Sequence, residues 1–300
     1  MKKLYILIPG NENYPDVDAY RSFFSTRGFE VYSGNKRDFS RDFPAGVDVL
    51  WCIMGLCSSR LRASFIIHDY RSLSVGKLCS LKDALKKRLN VKPDLRIFLN
   101  KQVRGIMNFK DGVPFEILDM GVPNWIDTVS ASADFHATYG YLGAMSFERK
   151  FDDLFDCFLD NKAEEDTFIL IGEPEAALYE KYKRHKSLNF VGRKDQREAL
   201  SIIKSCELAV CYFPFHRPHK YQTPTKLLEY AALGSSIICN NSPSNIYTAK
   251  EYQIKSLFGG KYIFDGIGEV SDVAGNDPRL FKCLKWENVI LDSGVMSYLS

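Results

Sequence analysis

Two doubly wound α/β domains in tandem are what this sequence predicts, and three observations predict them. Short apolar runs of strand length alternate with helical patterns along nearly the whole chain, the order that builds parallel sheets covered on both faces. The alternation runs twice, with the stretch "VPNWIDTVSASADFH" near residues 122–138 matching neither period. The length of 300 residues suits two domains of about 150 residues each.

In the first series, strands are predicted at 3–8, 29–33, 48–53 ("DVLWCI"), 64–68 ("SFIIH"), 95–99 and 115–119, with the clearest helices at 15–27 and 76–89. The second series opens at "HATYGYLGAMS" and continues through "DTFILIGEP", "SLNFVGR", "ELAVCYFPF", "SSIICN" and "KYIFD". Two such domains leave a cleft, and ligands of doubly wound sheets sit at the carboxyl ends of the strands. The tail reads as helix around Trp286, weakened in its second half by "DSG".

One segment carries more than fold. In "YQTPTKLLEYAALGSSIICN", residues 221–240, Thr223 reads as an N-cap, Pro224 as the first helical residue and Gly234 as the stop. Leu227, Leu228, Ala231 and Ala232 make an apolar stripe, and "SSIICN" makes a buried strand. The helix start offers unpaired N–H groups and a positive dipole end, an anion site that Lys226 strengthens. Glu229, one turn further in, is placed to accept hydrogen bonds from two vicinal hydroxyls. The plainer reading makes Lys226 and Glu229 an exposed i,i+3 pair worth a few tenths of a kcal/mol.

Composition bounds the alternatives. The chain is 45% hydrophobic and 26% charged with a net charge of +3, so it buries real cores and calls for no nucleic acid. Its eight cysteines lie mostly in apolar runs. They lack C-x-x-C spacing, and five histidines are too sparse for a recognisable zinc site, so reduced buried thiols in a cytoplasmic protein are expected. No run approaches the roughly 18 apolar residues of a membrane span. The start "MKKLYILIPGNEN" is read as a first strand, since its apolar run is too short for a leader and lacks a cleavage site. No G-x-G-x-x-G follows that strand, which argues against a dehydrogenase.

Read together, four segments of the second half resemble, in order, the nucleotide-sugar glycosyltransferases of the GT-B fold, nearest to glycosyltransferase family 4. They are "GYLGAMSFERKFDDLF", "FILIGEPEAALYEKY", "LNFVGRKDQREALSIIKSCELAVCYFP" and "TPTKLLEYAALGSSIICN"; "KWENVI" resembles the closing helix that crosses back to the first domain. The resemblance implies two Rossmann-like domains facing a cleft. It gives residues 1–135 to an acceptor-side domain, 136–282 to donor binding and 283–300 to the crossing helix. It covers residues 138–300 well and the first half loosely.

Carried over by position, the resemblance makes Glu229 the ribose-binding carboxylate and Thr225, Lys226 and Leu227 the helix entrance for the distal phosphate. Arg149, with Lys150 beside it, corresponds to the basic residue that meets the diphosphate, where leaving-group charge develops. Gly143 lets the backbone approach the phosphates, Val191 and Gly192 touch the base with Arg193 at the rim, and Gly10 and Asn11 belong to a phosphate-facing loop after the first strand. His68 and Asp69 stand at a strand end as catalytic candidates, His68 toward the transferred sugar and Asp69 as an acceptor-side base. Arg71 is expected to face a phosphate.

The departures are Ala144, where the family often has arginine, and Tyr221, where many members have a glutamate near the sugar. The implied function is transfer of a sugar, with retention, from a nucleotide donor to a hydroxyl of a glycan or lipid-linked glycan, in bacterial surface polysaccharide or lipopolysaccharide synthesis. No metal or other cofactor is expected. A catalytically silent GT-B subunit is the rival reading, supported by Ala144 and Tyr221. The basic stretch "KLCSLKDALKKRLNVK" reads as a solvated helix face, with loose contact to the anionic inner face of the membrane as the family-based alternative.

Overall fold

The computed structural model describes residues 1–10, 14–53, 57, 59–265 and 273–299. These residues form two compact units, Met1–Pro123 with Tyr221–Thr223 and Lys285–Ser300, and Asn124–Lys220 with Pro224–Leu284. Each holds one six-stranded, all-parallel sheet.

Unit 1 runs β1 (Lys2–Leu7), α1 (Pro15–Ser25), β2 (Phe29–Gly34), α2 (Lys36–Asp42), β3 (Val47–Ile53), β4 (Ala63–Tyr70), α3 (Cys79–Leu89), β5 (Leu95–Phe98), α4 (Lys101–Met107) and β6 (Phe115–Ile117), in sheet order β2-β1-β3-β4-β5-β6. Asparagines set two helix starts: Asn35 accepts from the N–H groups of Arg37 and Asp38, and Asn100 from that of Val103. All of β3 except Asp48 is buried, as a central strand covered on both faces requires.

Helix α3 is built inside out. Cys79, Asp83, Lys86 and Asn90 make its protected face; Asp83 accepts from the Ser74 N–H, and Asn90 from the Cys57 N–H. Leu78, Leu81, Leu85 and Leu89 lie on the opposite side, each 43–63% exposed.

Unit 2 runs β7 (Ala137–Leu142), α5 (Phe151–Asn161), β8 (Phe168–Ile171), α6 (Ala176–Tyr182), β9 (Leu188–Gly192), α7 (Gln196–Lys204), β10 (Cys206–Cys211), α8 (Thr225–Leu233), β11 (Ile237–Cys239), α9 (Pro243–Glu251) and β12 (Leu257–Phe258). The order β12-β11-β10-β7-β8-β9 is that of the Rossmann fold, with its reversal between β7 and β10. Phe151, Leu154, Phe155 and Phe158 form the buried stripe of α5 and meet Tyr139, Phe168 and Phe264 in an aromatic core.

The final strand departs from expectation. "KYIFD" was the predicted sixth strand of this half, yet pairing with β11 is made by Leu257 and Phe258. Ile263 sits at φ 70° in a turn whose N–H returns to Gly260. That turn drives Ile263 and Phe264 into the core rather than along an edge.

The dividing point also falls earlier than the predicted 135/136. Residues after Pro123 belong to unit 2 because they are fastened to α7: the Ser132 N–H donates to Ser201 O, and Lys204 Nζ to Val129 O. At the other end, α10 (Trp286–Asp292) and α11 (Met296–Leu299) group with unit 1. Trp286, Ile290, Val295 and Leu299 sit in the same core as Tyr20, Phe24 and Trp51. A Cβ on Gly121 would lie 2.6 Å from the Trp286 indole, so only glycine lets that ring seat.

Candidate functional site

Within unit 2 the site is built on the carboxyl ends of β7, β8 and β9 and on the start of α8. The three strands end in glycines at positive φ: Gly143 at 154°, Gly172 at 136° and Gly192 at 71°. Their backbones interlock, the Gly143 N–H donating to Ile171 O and the Gly172 N–H to Gly192 O, both at 2.9 Å. A Cβ on Gly172 would run into the Gly143 carbonyl oxygen. The result is a bare backbone rim at the switch point, where doubly wound sheets bind their ligands.

Helix α8 is buried on every side from Leu227 to Leu233, which explains its Leu/Ala composition. Its start differs from the expected capping. Pro224 occupies the N-cap with no side-chain cap bond. Thr223 points elsewhere, its Oγ1 accepting from Asn100 Nδ2 at 3.2 Å in unit 1. Gly234 closes the helix as expected. The Tyr230 hydroxyl accepts the Leu142 N–H at 3.2 Å, which pins α8 to the end of β7.

Glu229 is the charge inside this apolar helix, and it is 1% exposed. One oxygen accepts from Gln196 Nε2 at 2.7 Å and the other from Lys226 Nζ at 2.8 Å. The pair with Lys226 is therefore no surface i,i+3 pair. A buried carboxylate needs partners, and here both belong to more open side chains: Gln196 is exposed, and the Lys226 side chain is 33% exposed. Two hydroxyls can displace such partners without stranding them, because each can turn to water.

Arg149 is half-buried; its N–H donates to Ser146 Oγ at 3.3 Å, and its guanidinium lies against the Tyr141 phenol. Burial pushes Tyr141 up to about 12 despite the pull of Arg149, so the phenol stays neutral. Lys150 takes a left-handed conformation at the N-cap of α5, exposed and 3.8 Å from Asp153. Thr225 and Lys226 open α8, while Leu227 buries its side chain fully. Val191 and Gly192 end β9, half-buried, and Arg193 beside them is exposed. Gln196 was missed by sequence reasoning. The signal was there, one residue past the Asp195 cap that holds the Glu198 N–H.

The unit 1 candidates are arranged differently. Gly10 is exposed at φ 102° after β1, and Asn11 lies outside the described residues. Asp69 is enclosed: one oxygen accepts from Trp51 Nε1 at 3.0 Å and from the Tyr20 hydroxyl at 3.1 Å. Burial raises its carboxyl to about 6 against the opposing charge of Arg71. Arg71 is buried and pairs with Asp16 at 2.7 Å, also donating to Leu118 O. The two residues implied as acceptor-side base and phosphate contact are thus parts of a buried charge cluster under α1. His68 is 3% exposed, and neither ring nitrogen has a hydrogen-bond partner.

Two Rossmann-like domains of this length and order are the fold of the GT-B glycosyltransferases. Among solved structures the chain is similar to the Anabaena protein HepE in complex with UDP and glucose, at 11% identity and a TM-score of 0.65, covering 100% of this chain and 99% of that one. It is similar to sucrose-phosphate synthase from Thermosynechococcus elongatus at 10% identity and a TM-score of 0.66, covering 100% and 99%. WaaG, a glycosyltransferase involved in lipopolysaccharide biosynthesis, aligns at 11% identity and a TM-score of 0.59, covering 99% and 92%. No protein-family model matches the sequence, and no curated protein does.

Proposed function

We propose that this protein is a glycosyltransferase that moves a sugar from a UDP-linked donor to a hydroxyl of a glycan or lipid-linked glycan. The observation that carries the reading is Glu229, a carboxylate 1% exposed in a helix buried from Leu227 to Leu233 and held, among the described residues, by the displaceable Gln196 and Lys226. Fold alone would not ask for that charge. A ribose, with two adjacent hydroxyls, answers it. The choice of UDP is supported by the similar HepE, whose structures hold UDP and UDP-glucose.

The diphosphate lies along the α8 entrance, where Lys226 and the first amides of the helix receive it, with Arg149 and Lys150 near the glycine rim. Val191, Gly192 and Arg193 border the base. In transfer, the bond between the anomeric carbon and the diphosphate oxygen breaks with its electron pair leaving on UDP. A bond to the acceptor oxygen forms, and the acceptor hydroxyl passes its proton to the departing diphosphate. Cationic side chains and helix amides stabilise the departing charge. Retention follows the family 4 resemblance. No step is given to Asp69, which is buried with one oxygen serving both Trp51 and Tyr20.

The acceptor side is read from α3. Leu78, Leu81, Leu85 and Leu89 face outward, and Lys77, Lys82 and Arg88 flank them. An apolar stripe between basic borders suits the interface of an anionic bilayer, where lipid-linked surface glycans are assembled. Among the described residues no helix is long and apolar enough to cross a membrane, so contact would be peripheral.

The test is incubation with UDP-linked sugars, scoring free UDP from transfer or slow hydrolysis. UDP release lost in Glu229→Ala supports the reading. Binding of UDP without release from any donor would favour a silent subunit, and neither binding nor release would refute the site.

A further inference from the structure

Cys52, Cys57 and His68 meet at the carboxyl end of the first sheet, and the transfer proposed above assigns none of them a step. Cys52 on β3 and His68 on β4 are direct partners in the parallel register, so the pairing of two strands brings them together. Cys57 is clamped: its N–H donates to Asn90 Oδ1 at 2.8 Å, and its carbonyl accepts the Val91 N–H at 2.8 Å. The two sulfurs and one imidazole nitrogen lie within 4.8 Å of one another, and all three residues are buried.

The imidazole has no other employment. Both its ring nitrogens are buried without a hydrogen-bond partner, and an orphaned buried polar group asks for an explanation. Two thiols and an imidazole on one centre supply it. We propose that Cys52, Cys57 and His68 form a binding site for one thiophilic d10 cation, Zn2+ or Cu+.

The chemistry is consistent. Soft sulfur ligands select these ions over Mg2+ or Ca2+. Metal–ligand bonds of about 2.0–2.3 Å put ligand atoms roughly 3.5–4 Å apart, so closing on the ion takes about an ångström of side-chain movement. Each sulfur binds as thiolate and releases one proton, while the neutral imidazole gives a lone pair. Among the described residues no fourth His, Cys, Asp or Glu joins the group; three ligands suit Cu+, and they leave Zn2+ one position for water.

The reduced, chelator-stripped protein is titrated with Zn2+, with Co2+ as a spectroscopic stand-in, and without oxygen with Cu+. One equivalent should bind, with proton release and a thiolate-to-cobalt charge-transfer band. The Zn2+ and Cu+ arms tell which ion is held more tightly. Cys52→Ser and Cys57→Ser should each weaken Zn2+ binding by more than the roughly 10–100-fold that loss of an outer-shell partner costs. His68→Ala should weaken it while keeping a sulfur band. A Zn2+-dependent rise in the melting temperature of the unaltered protein gives a readout that needs no variant. The proposal is overturned by the absence of stoichiometric binding or by unchanged affinity in all three variants. A Cys52–Cys57 disulfide that forms in air as fast with Zn2+ bound to the reduced protein beforehand as without it would overturn it as well.

Discussion

Replacing Glu229 by alanine separates a ligand-holding carboxylate from a structural one. In the free protein its oxygens hold Gln196 at 2.7 Å and Lys226 at 2.8 Å; with nucleotide bound they would hold ribose hydroxyls. A hydrogen bond to a charged group is worth about 1.5–3 kcal/mol, and the released Gln196 and Lys226 can still approach the ligand. The expected net loss is therefore about 1.5–3 kcal/mol, or roughly 10- to 150-fold in the Kd for UDP.

Stability should barely change. The Lys226 side chain is 33% exposed and Gln196 is exposed, so both regain water, while removing a buried charge offsets the small cavity left behind. A shift in Tm within about 4 °C is expected. Glu229→Gln, which keeps the volume and one acceptor, should fall between the two. Calorimetry with UDP and thermal melts by circular dichroism on the same preparations give both numbers. An unchanged Kd in a folded Glu229→Ala protein would refute the assignment.

Arg149→Ala and Lys226→Ala should each lower turnover more than they weaken uridine binding, because their partner is the diphosphate; equal losses would count against that role. Exchanging Leu81 and Leu85 for glutamate should weaken binding to anionic phospholipid vesicles at least about 100-fold, with sedimentation as the assay and unchanged binding as the contrary result. Asp69 gives a pH dependence of definite sign. Its folded value is raised to about 6 from 3.8, so between these values the native state holds more protons than the unfolded chain, and this group's contribution to stability falls as pH rises. Two units correspond to about 3 kcal/mol; the stability difference between the unaltered protein and Asp69→Asn should change by that order between pH 4 and 7 in urea titrations.

What the sequence disclosed and what it hid divide along physical lines. The strands were legible because a parallel strand covered on both faces must be a largely unbroken apolar run, as "VLWCI" and "FILI" are. The α8 entrance was legible because Pro224 and Gly234 bracket it. Thr223 misled as a cap, since its hydroxyl answers Asn100, more than a hundred residues away in the chain. "KYIFD" has strand composition, yet a residue at φ 70° turns it out of the ladder. The meeting of Cys52 with His68 depends on strand register, which spacing alone does not encode. For α3, the pattern gave an amphipathic helix but not which face turns inward. A polar inner face anchored by Asp83 and Asn90 reverses the ordinary assumption.

The membership of Lys285–Ser300 in unit 1 bears on how the chain folds as it is made. Unit 2 has its whole span once Leu284 has been synthesised, and its core can condense then. Unit 1 begins first and finishes last, because Tyr20, Phe24 and Trp51 wait for Trp286, Ile290 and Val295 to complete the same core. Until those residues emerge, the seat over Gly121 that Trp286 fills stays open to water. Domains usually mature from the N-terminus during synthesis; here unit 2 is the first that can close, and unit 1 keeps part of its apolar core uncovered until Trp286, Ile290 and Val295 follow.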